Sequence, residues 1–322
     1  MSTGRRMSGV TVGVLLAWLL TGALGAQNPT TTTTGPNGQE SLGTKEPLRV
    51  RVNLVNVLFT VTDKKSHMVL DLTKEDFRVL EDNKPQSIRF FSREADLPLR
   101  IGVLIDTSNS IRDRLHFEEE AAIDFLQETL RPGKDLAFLE GFDVEPQLLQ
   151  DYTDEVDKHA EAARKLQAGG GTALYDAIFF ACKQKLLFFP PPEPYLRRVI
   201  IVISDGLDNQ SERSREEAIA MAQRAEVTIF TISTNRSGLT ERGDKVLKRM
   251  AEETGGRAFF PFEARDLAAN FQEISRELRS QYSLAYVSTN DKMDGTFRTI
   301  SVEPLEKNLR VRAKNGYFAP SP

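Results

Sequence analysis

Two hydrophobic periods alternate along the middle of the chain. Between residues 97 and 280, short apolar runs are separated by stretches whose apolar positions recur every three or four residues. The runs Leu99–Ile105, Asp135–Phe142, Arg198–Ser204, Val227–Ser233 and Arg257–Phe260 predict strands covered on both faces. The stretches near Arg112–Leu130, Thr153–Leu166, Ala173–Leu187, Ser214–Arg224, Asp244–Glu253 and Ala264–Leu278 predict helices with one apolar stripe. Ser214, followed three residues later by Glu217, reads as a capping box. Strand–helix alternation of this kind predicts an α/β fold, a doubly wound, mostly parallel Rossmann-like sheet with helices on both faces. Pro146–Asp151 predicts an antiparallel edge strand, and the proline-rich Phe189–Pro194 a rigid spacer loop.

On either side the period changes to two. Val50–Val61 is rich in β-branched residues and partly alternating. Leu72–Phe77 reads as a short helical turn, and Phe77–Glu81 and Gln86–Phe91 flank a hairpin signal at Asp82-Asn83-Lys84-Pro85. The tail repeats this character in Gln281–Val287, Phe297–Val302 and Leu309–Ala313, with Asn315-Gly316 turning the chain into Tyr317-Phe318. Neither half is long enough for a good sheet alone. They are expected to pair into one small β-sandwich-like module formed by N- and C-terminal strands, with the α/β domain inserted in it; two independent additions are the rival arrangement.

The first residues read as a targeting segment. Arg5-Arg6, the apolar Val10–Leu20 and the small residues ending at Ala26 have the order of a secretory signal peptide, cleaved after Gly25 or Ala26. The apolar run is shorter than the roughly 20 residues that span a bilayer, with an uncleaved anchor as the alternative. The expected divisions are 1–26 signal peptide, 27–46 disordered linker rich in Thr, Gly, Pro and Asn, 47–96 β segment, 97–280 α/β domain and 281–322 β segment. Export places the protein in the periplasm or outside the cell, with no transmembrane segment in the mature chain.

A net charge of −4, with Lys and Arg dispersed, gives no case for nucleic acid. Cys182 is the only cysteine, so no internal disulfide forms, and its apolar helix makes it a core thiol. His67, His116 and His159 lie apart, without a nucleophile pattern or zinc spacing, so no catalytic residue is predicted.

The chemistry gathers at strand ends. Asp106-Thr107-Ser108-Asn109-Ser110 follows the first apolar run, Gly169-Gly170-Gly171-Thr172 precedes a helix, and Asp205-Gly206 closes the third run. Each alone is ordinary cap or turn chemistry. Three loops offering only oxygen ligands suit a hard divalent cation. The glycine-rich loop lacks the lysine of a phosphate-binding loop. Asp208 and Asn209 read as a polar loop, and Asp176 as a first-turn acid favoured by the helix dipole.

In their order, Asp106, Ser108, Ser110, Thr172 and Asp205 resemble the metal-ion-dependent adhesion site of von Willebrand factor A domains, over roughly residues 97–280. The wider chain resembles a bacterial secreted subfamily with a β segment on each side of that domain. The resemblance implies a non-enzymatic adhesion protein that binds Mg²⁺ (or Mn²⁺ or Ca²⁺) on those five residues. It also implies an open coordination position, filled by a Glu or Asp carboxylate of a protein partner. A cation that serves stability alone and a metal-dependent hydrolase are the alternatives; for the latter the loops offer no separate general base.

Overall fold

The computed structural model describes residues 54–94, 96–187, 196–235, 239–261 and 264–321. The segments read as signal peptide and linker, the start of the first β segment and the proline-rich loop lie outside the described residues.

The first β segment contains β1 (Leu54–Thr62), β2 (Phe77–Glu81), β3 (Lys84–Gln86) and β4 (Ile88–Glu94). In the α/β region the order is β5 (Leu99–Asp106), α1 (Leu115–Thr129), β6 (Leu136–Phe142), β7 (Pro146–Thr153), α2 (Val156–Ala163) and α3 (Leu174–Phe180). Then follow β8 (Arg197–Ser204), α4 (Arg215–Arg224), β9 (Val227–Ser233), α5 (Arg242–Glu253), β10 (Ala258–Phe259) and α6 (Ala264–Leu278). The tail forms β11 (Gln281–Val287), β12 (Phe297–Pro304), β13 (Arg310–Ala313) and β14 (Gly316–Phe318).

The central sheet has the order β10-β9-β8-β5-β6-β7. All its pairings are parallel except β6–β7, which places Pro146 opposite Phe142 on an antiparallel edge. Every residue of β5 is buried, as its unbroken apolar run requires. Ile101, Val103 and Ile105 face α1, α2 and α6, while Leu104 faces α3, α4 and α5. The chain leaves β5 for β6 on one side and returns to β8 on the other. The sheet therefore has its topological switch point between β5 and β8, where open α/β sheets bind ligands.

The flanking strands interleave. β11, from the tail, lies between β1 and β4, from the first segment; β12 lies beside β2. The resulting sheets, β13-β1-β11-β4 and β14-β12-β2-β3, enclose one core. Val55, Val57, Phe59 and Val61 point into it at a period of two, and Phe59 stacks on Tyr282 at 5.4 Å between ring centroids. The insertion expected from the sequence is thus present.

Several local expectations are corrected. Gln86–Phe91 is not one strand: the chain breaks at Ser87, so β3 stays with β2 while β4 crosses to the other sheet. Helix α1 begins at Leu115 rather than Arg112, because Asn109–Ile111 forms a 3₁₀ turn first. The helix predicted over Ala173–Leu187 is α-helical only to Phe180 and continues as a π-helix through Leu186. Among the described residues, no helix is long and apolar enough to cross a membrane.

Candidate metal centre

Asp106 ends β5 and is fully buried. Its Oδ1 accepts the Ser108 backbone N–H at 2.9 Å, and its Oδ2 accepts the Ser204 hydroxyl at 2.7 Å. Burial pushes its pKa up to about 6; the hydrogen bonds from Ser204 and Ser108 oppose the rise, and the charge of Asp205 adds to it. From Ser108 a chain of oxygens runs outward. Ser108 Oγ lies 2.9 Å from Ser110 Oγ, and Ser110 Oγ donates to Asp205 Oδ2 at 3.0 Å. Asp205 follows β8 directly, and its Oδ1 accepts the Leu207 N–H at 2.9 Å. Four of the five predicted residues are therefore joined by hydrogen bonds across the β5–β8 boundary.

Thr172 reaches this group through the loop after β8. Its N–H donates to Asn209 Oδ1 at 2.9 Å, and its carbonyl accepts the N–H groups of Asn209 and Gln210 at 3.0 and 3.1 Å. Asp208 and Asn209 are more than a polar loop. Asp208 accepts the Tyr175 N–H at 3.1 Å, and Asp176 accepts those of Glu212 and Arg213, each at 3.0 Å. Each carboxylate fixes backbone of the other segment, so Asp176 orders the facing loop as well as beginning α3. The glycine loop is also tied to the first loop, by Gly169 N–H to the Thr107 carbonyl at 2.8 Å and by Asn109 Nδ2 to the Gly170 carbonyl at 3.3 Å.

Two residues outside the predicted set shape the centre. Ser204 links Asp106 to the loop, accepting the Gly206 N–H at 3.0 Å while donating to the carboxylate. Its position next to Asp205 was the only sequence signal for it. Gly206 has φ +77°, and an added Cβ would lie 2.4 Å from the Gly243 carbonyl. Glycine is required there by both conformation and space. The histidines are elsewhere: His116 is exposed on α1, and His159 is buried with Nε2 3.3 Å from the Thr153 carbonyl. Cys182 is buried, which pushes its thiol pKa far up.

The donor chemistry fits a hard cation. Two carboxylates that repel each other are accompanied by three hydroxyls, all oxygen ligands. Among the described residues no three His, Cys, Asp or Glu side chains cluster as a metal site, so any cation here rests on this mixed carboxylate–hydroxyl set.

A family model described as von Willebrand factor type A domain matches residues 101–207, from within β5 to just beyond Asp205. The chain contains a von Willebrand factor type A domain. The human von Willebrand factor A domain-containing protein 3B is 27% identical over 165 residues, which cover 50% of this chain and 12% of that protein. The chain thus spans about an eighth of the length of this curated relative. Among solved structures, the vWF domain of the type V pili tip protein Mfa5 from Porphyromonas gingivalis is 17% identical, with TM-score 0.47, covering 56% of this chain and 94% of that one. Proximal thread matrix protein 1 from the mussel byssus, with a zinc-occupied MIDAS motif, is 16% identical, with TM-score 0.48, covering 62% and 49%. BatB from Bacteroides thetaiotaomicron is 18% identical, with TM-score 0.46, covering 56% and 100%. Four of the five candidate residues, Asp106, Ser108, Ser110 and Asp205, meet at the switch point of the sheet, and Thr172 is tied by its backbone to the loop after β8.

Proposed function

We propose that this is an exported, non-enzymatic binding protein whose A domain holds a divalent cation, Mg²⁺ in the first instance, on Asp106, Ser108, Ser110, Thr172 and Asp205. When bound, the cation supplies a coordination position for a Glu or Asp carboxylate of a protein partner. The observation that carries this reading is the oxygen chain Ser108–Ser110–Asp205 beside the buried Asp106, latched from three loops. A preorganised oxygen set gains its affinity without ordering loops on binding. Three of the five ligands are neutral hydroxyls, so the cation keeps a stronger pull on an acidic partner than an all-carboxylate site would. Such a charged, partly desolvated contact is strong enough to anchor an interface.

Isothermal calorimetry with Mg²⁺ and Mn²⁺, joined to a pull-down from envelope extract in Mg²⁺ and in EDTA, tests the proposal. Uptake of cation and capture of a partner are both expected to vanish in Asp106→Ala, with the circular dichroism spectrum unchanged. Partners indifferent to EDTA would place recognition on another surface. Cation uptake that raises only the melting temperature would reduce the metal to a stabilising role.

A further inference from the structure

Five large apolar side chains of the A domain are exposed among the described residues: Val144, Leu148, Leu207, Leu239 and Phe260. Four of them follow the carboxyl ends of strands, Val144 after β6, Leu207 after β8, Leu239 after β9 and Phe260 after β10. The exposed apolar surface of the domain is thus concentrated on the face that carries Asp106 and Asp205. Leu207 lies two residues beyond Asp205, with its N–H fixed by that carboxylate and its side chain 45% exposed.

The surface is grooved in one direction. A cavity of about 210 Å³ lies past the end of β9, walled by Leu239, Thr240, Phe260 and Pro261 above Ser233 and Asp244. Its polar floor is already satisfied: Asp244 accepts from Ser233 Oγ at 2.6 Å, Asn235 Nδ2 at 2.9 Å and the Glu241 N–H at 2.9 Å. The cavity therefore offers its apolar rim, Leu239 at 75% and Phe260 at 50% exposure. Beyond Phe260 and Pro261 a second cavity of about 440 Å³ continues towards Arg257.

Resting on the proposed metal reading, we infer that the partner presents an extended segment. Its acidic residue meets the cation, and an apolar side chain two to three positions away seats against Leu239 and Phe260. The spacing follows from the sheet. Neighbouring strands are about 4.8 Å apart, so the ends of β9 and β10 lie one and two strands from Asp205. An extended chain advances about 3.3 Å per residue, so two to three residues cover roughly 7–10 Å. An apolar occupant is favoured because Leu239 and Phe260 are the exposed large apolar side chains of the rim and both carboxylate oxygens of Asp244 already accept hydrogen bonds.

The probe is a set of fluorescein-labelled seven-residue Ser/Thr peptides with one Glu and one Leu, the Leu placed at each position from three before to three after the Glu. Fluorescence anisotropy with the purified protein in Mg²⁺ is expected to give binding about tenfold tighter for Leu two or three residues to one side of Glu than for the Leu-free peptide. EDTA should remove binding of both. Leu239→Ser and Phe260→Ser should each cancel most of the Leu gain while leaving the Leu-free peptide unchanged. Mg²⁺-dependent binding that ignores the Leu position, or these variants, overturns the inference and leaves the metal reading standing. Failure of all peptides to bind while calorimetry shows Mg²⁺ uptake also overturns it. Absence of Mg²⁺ uptake sinks the metal reading itself.

Discussion

At the scale of the residue, two carboxylates carry opposite lessons. Asp106 was legible because strand-end oxygens recur three times in the sequence. Glu140 was not: a strand covered on both faces implies its burial, but nothing in the run Leu136–Phe142 says whether the carboxylate finds a partner. In the structure it is almost wholly buried on β6, and its Oε1 has no hydrogen-bond partner among the described residues. Burial pushes its pKa up to about 8, with Lys185 acting in the opposite direction. The folded-state pKa thus lies above the unfolded value, so the contribution of this group to stability is fully present below about pH 4.5 and is lost as pH rises towards 8. Glu140→Gln is expected to raise stability at pH 7.5 by roughly 3 kcal/mol and to flatten the pH dependence. Urea titrations at pH 5 and 8 decide this; equal stabilities of wild type at the two values would contradict it. A second expectation concerns glycine. A Cβ on Gly243 would lie 2.0 Å from the Asp205 carbonyl, so Gly243→Ala should cost about 1–3 kcal/mol by overpacking and weaken Mg²⁺ uptake by displacing Asp205. Calorimetry and thermal melts of that variant measure the two effects together.

Elements depend on how their ends are tied. Asp135, just before β6, is fully buried. Burial alone would raise its pKa, but hydrogen bonds from the Arg131 side chain, the Leu99 N–H, Arg279 and the Arg131 N–H overcome it and hold it at about 2. This carboxylate joins the start of β5, the end of α1 and the end of α6. Its folded-state pKa is depressed, so its contribution is present above the unfolded pKa near 4 and is lost as pH falls towards 2. Roughly 2 kcal/mol of stability is expected to disappear over that window. Melting curves between pH 5 and 2 should show a shallower decline in Asp135→Asn than in wild type, from a lower starting stability. Helix and strand periods were legible element by element, because burial of one face imposes them. The break between β3 and β4 was not, since both pieces are compatible with strand and only their different partners separate them. Nor was the π-helix at Ala181–Leu186, whose residues fit an ordinary helix equally well.

At the scale of the molecule, the β module depends on pairings more than 190 residues apart, such as Phe59 with Tyr282 and Val79 with Val302. It is also fastened to the A domain. Glu277 of α6 accepts the Thr60 hydroxyl at 3.1 Å and pairs with Arg312, while Gln223 donates to Asn315 at 2.8 Å. Within the module Arg298 and Glu81 are both buried, and Glu81 also accepts from Tyr286 at 2.8 Å. Deleting residues 281–322 removes β11 from between β1 and β4. Amides of Val57 and Phe59 should then exchange rapidly, while those of Ile101 and Val103 in β5 stay protected. Hydrogen-exchange mass spectrometry checks this, and continued protection of β1 would show that the module stands without its tail.

The sequence by itself determined the α/β class and the residues that end the central strands, because periodicity and strand-end chemistry are local consequences of burial. It left the insertion of the α/β domain between the β segments beside the rival of two independent additions. Only the tertiary structure decided that β8 returns beside β5, that Ser204 and Asn209 hold Asp106 and Thr172, and that exposed apolar side chains collect beyond β8, β9 and β10. Those features depend on which strand lies next to which. Many strand orders satisfy the same hydrophobic pattern, and the choice among them is made by packing between segments far apart in the chain.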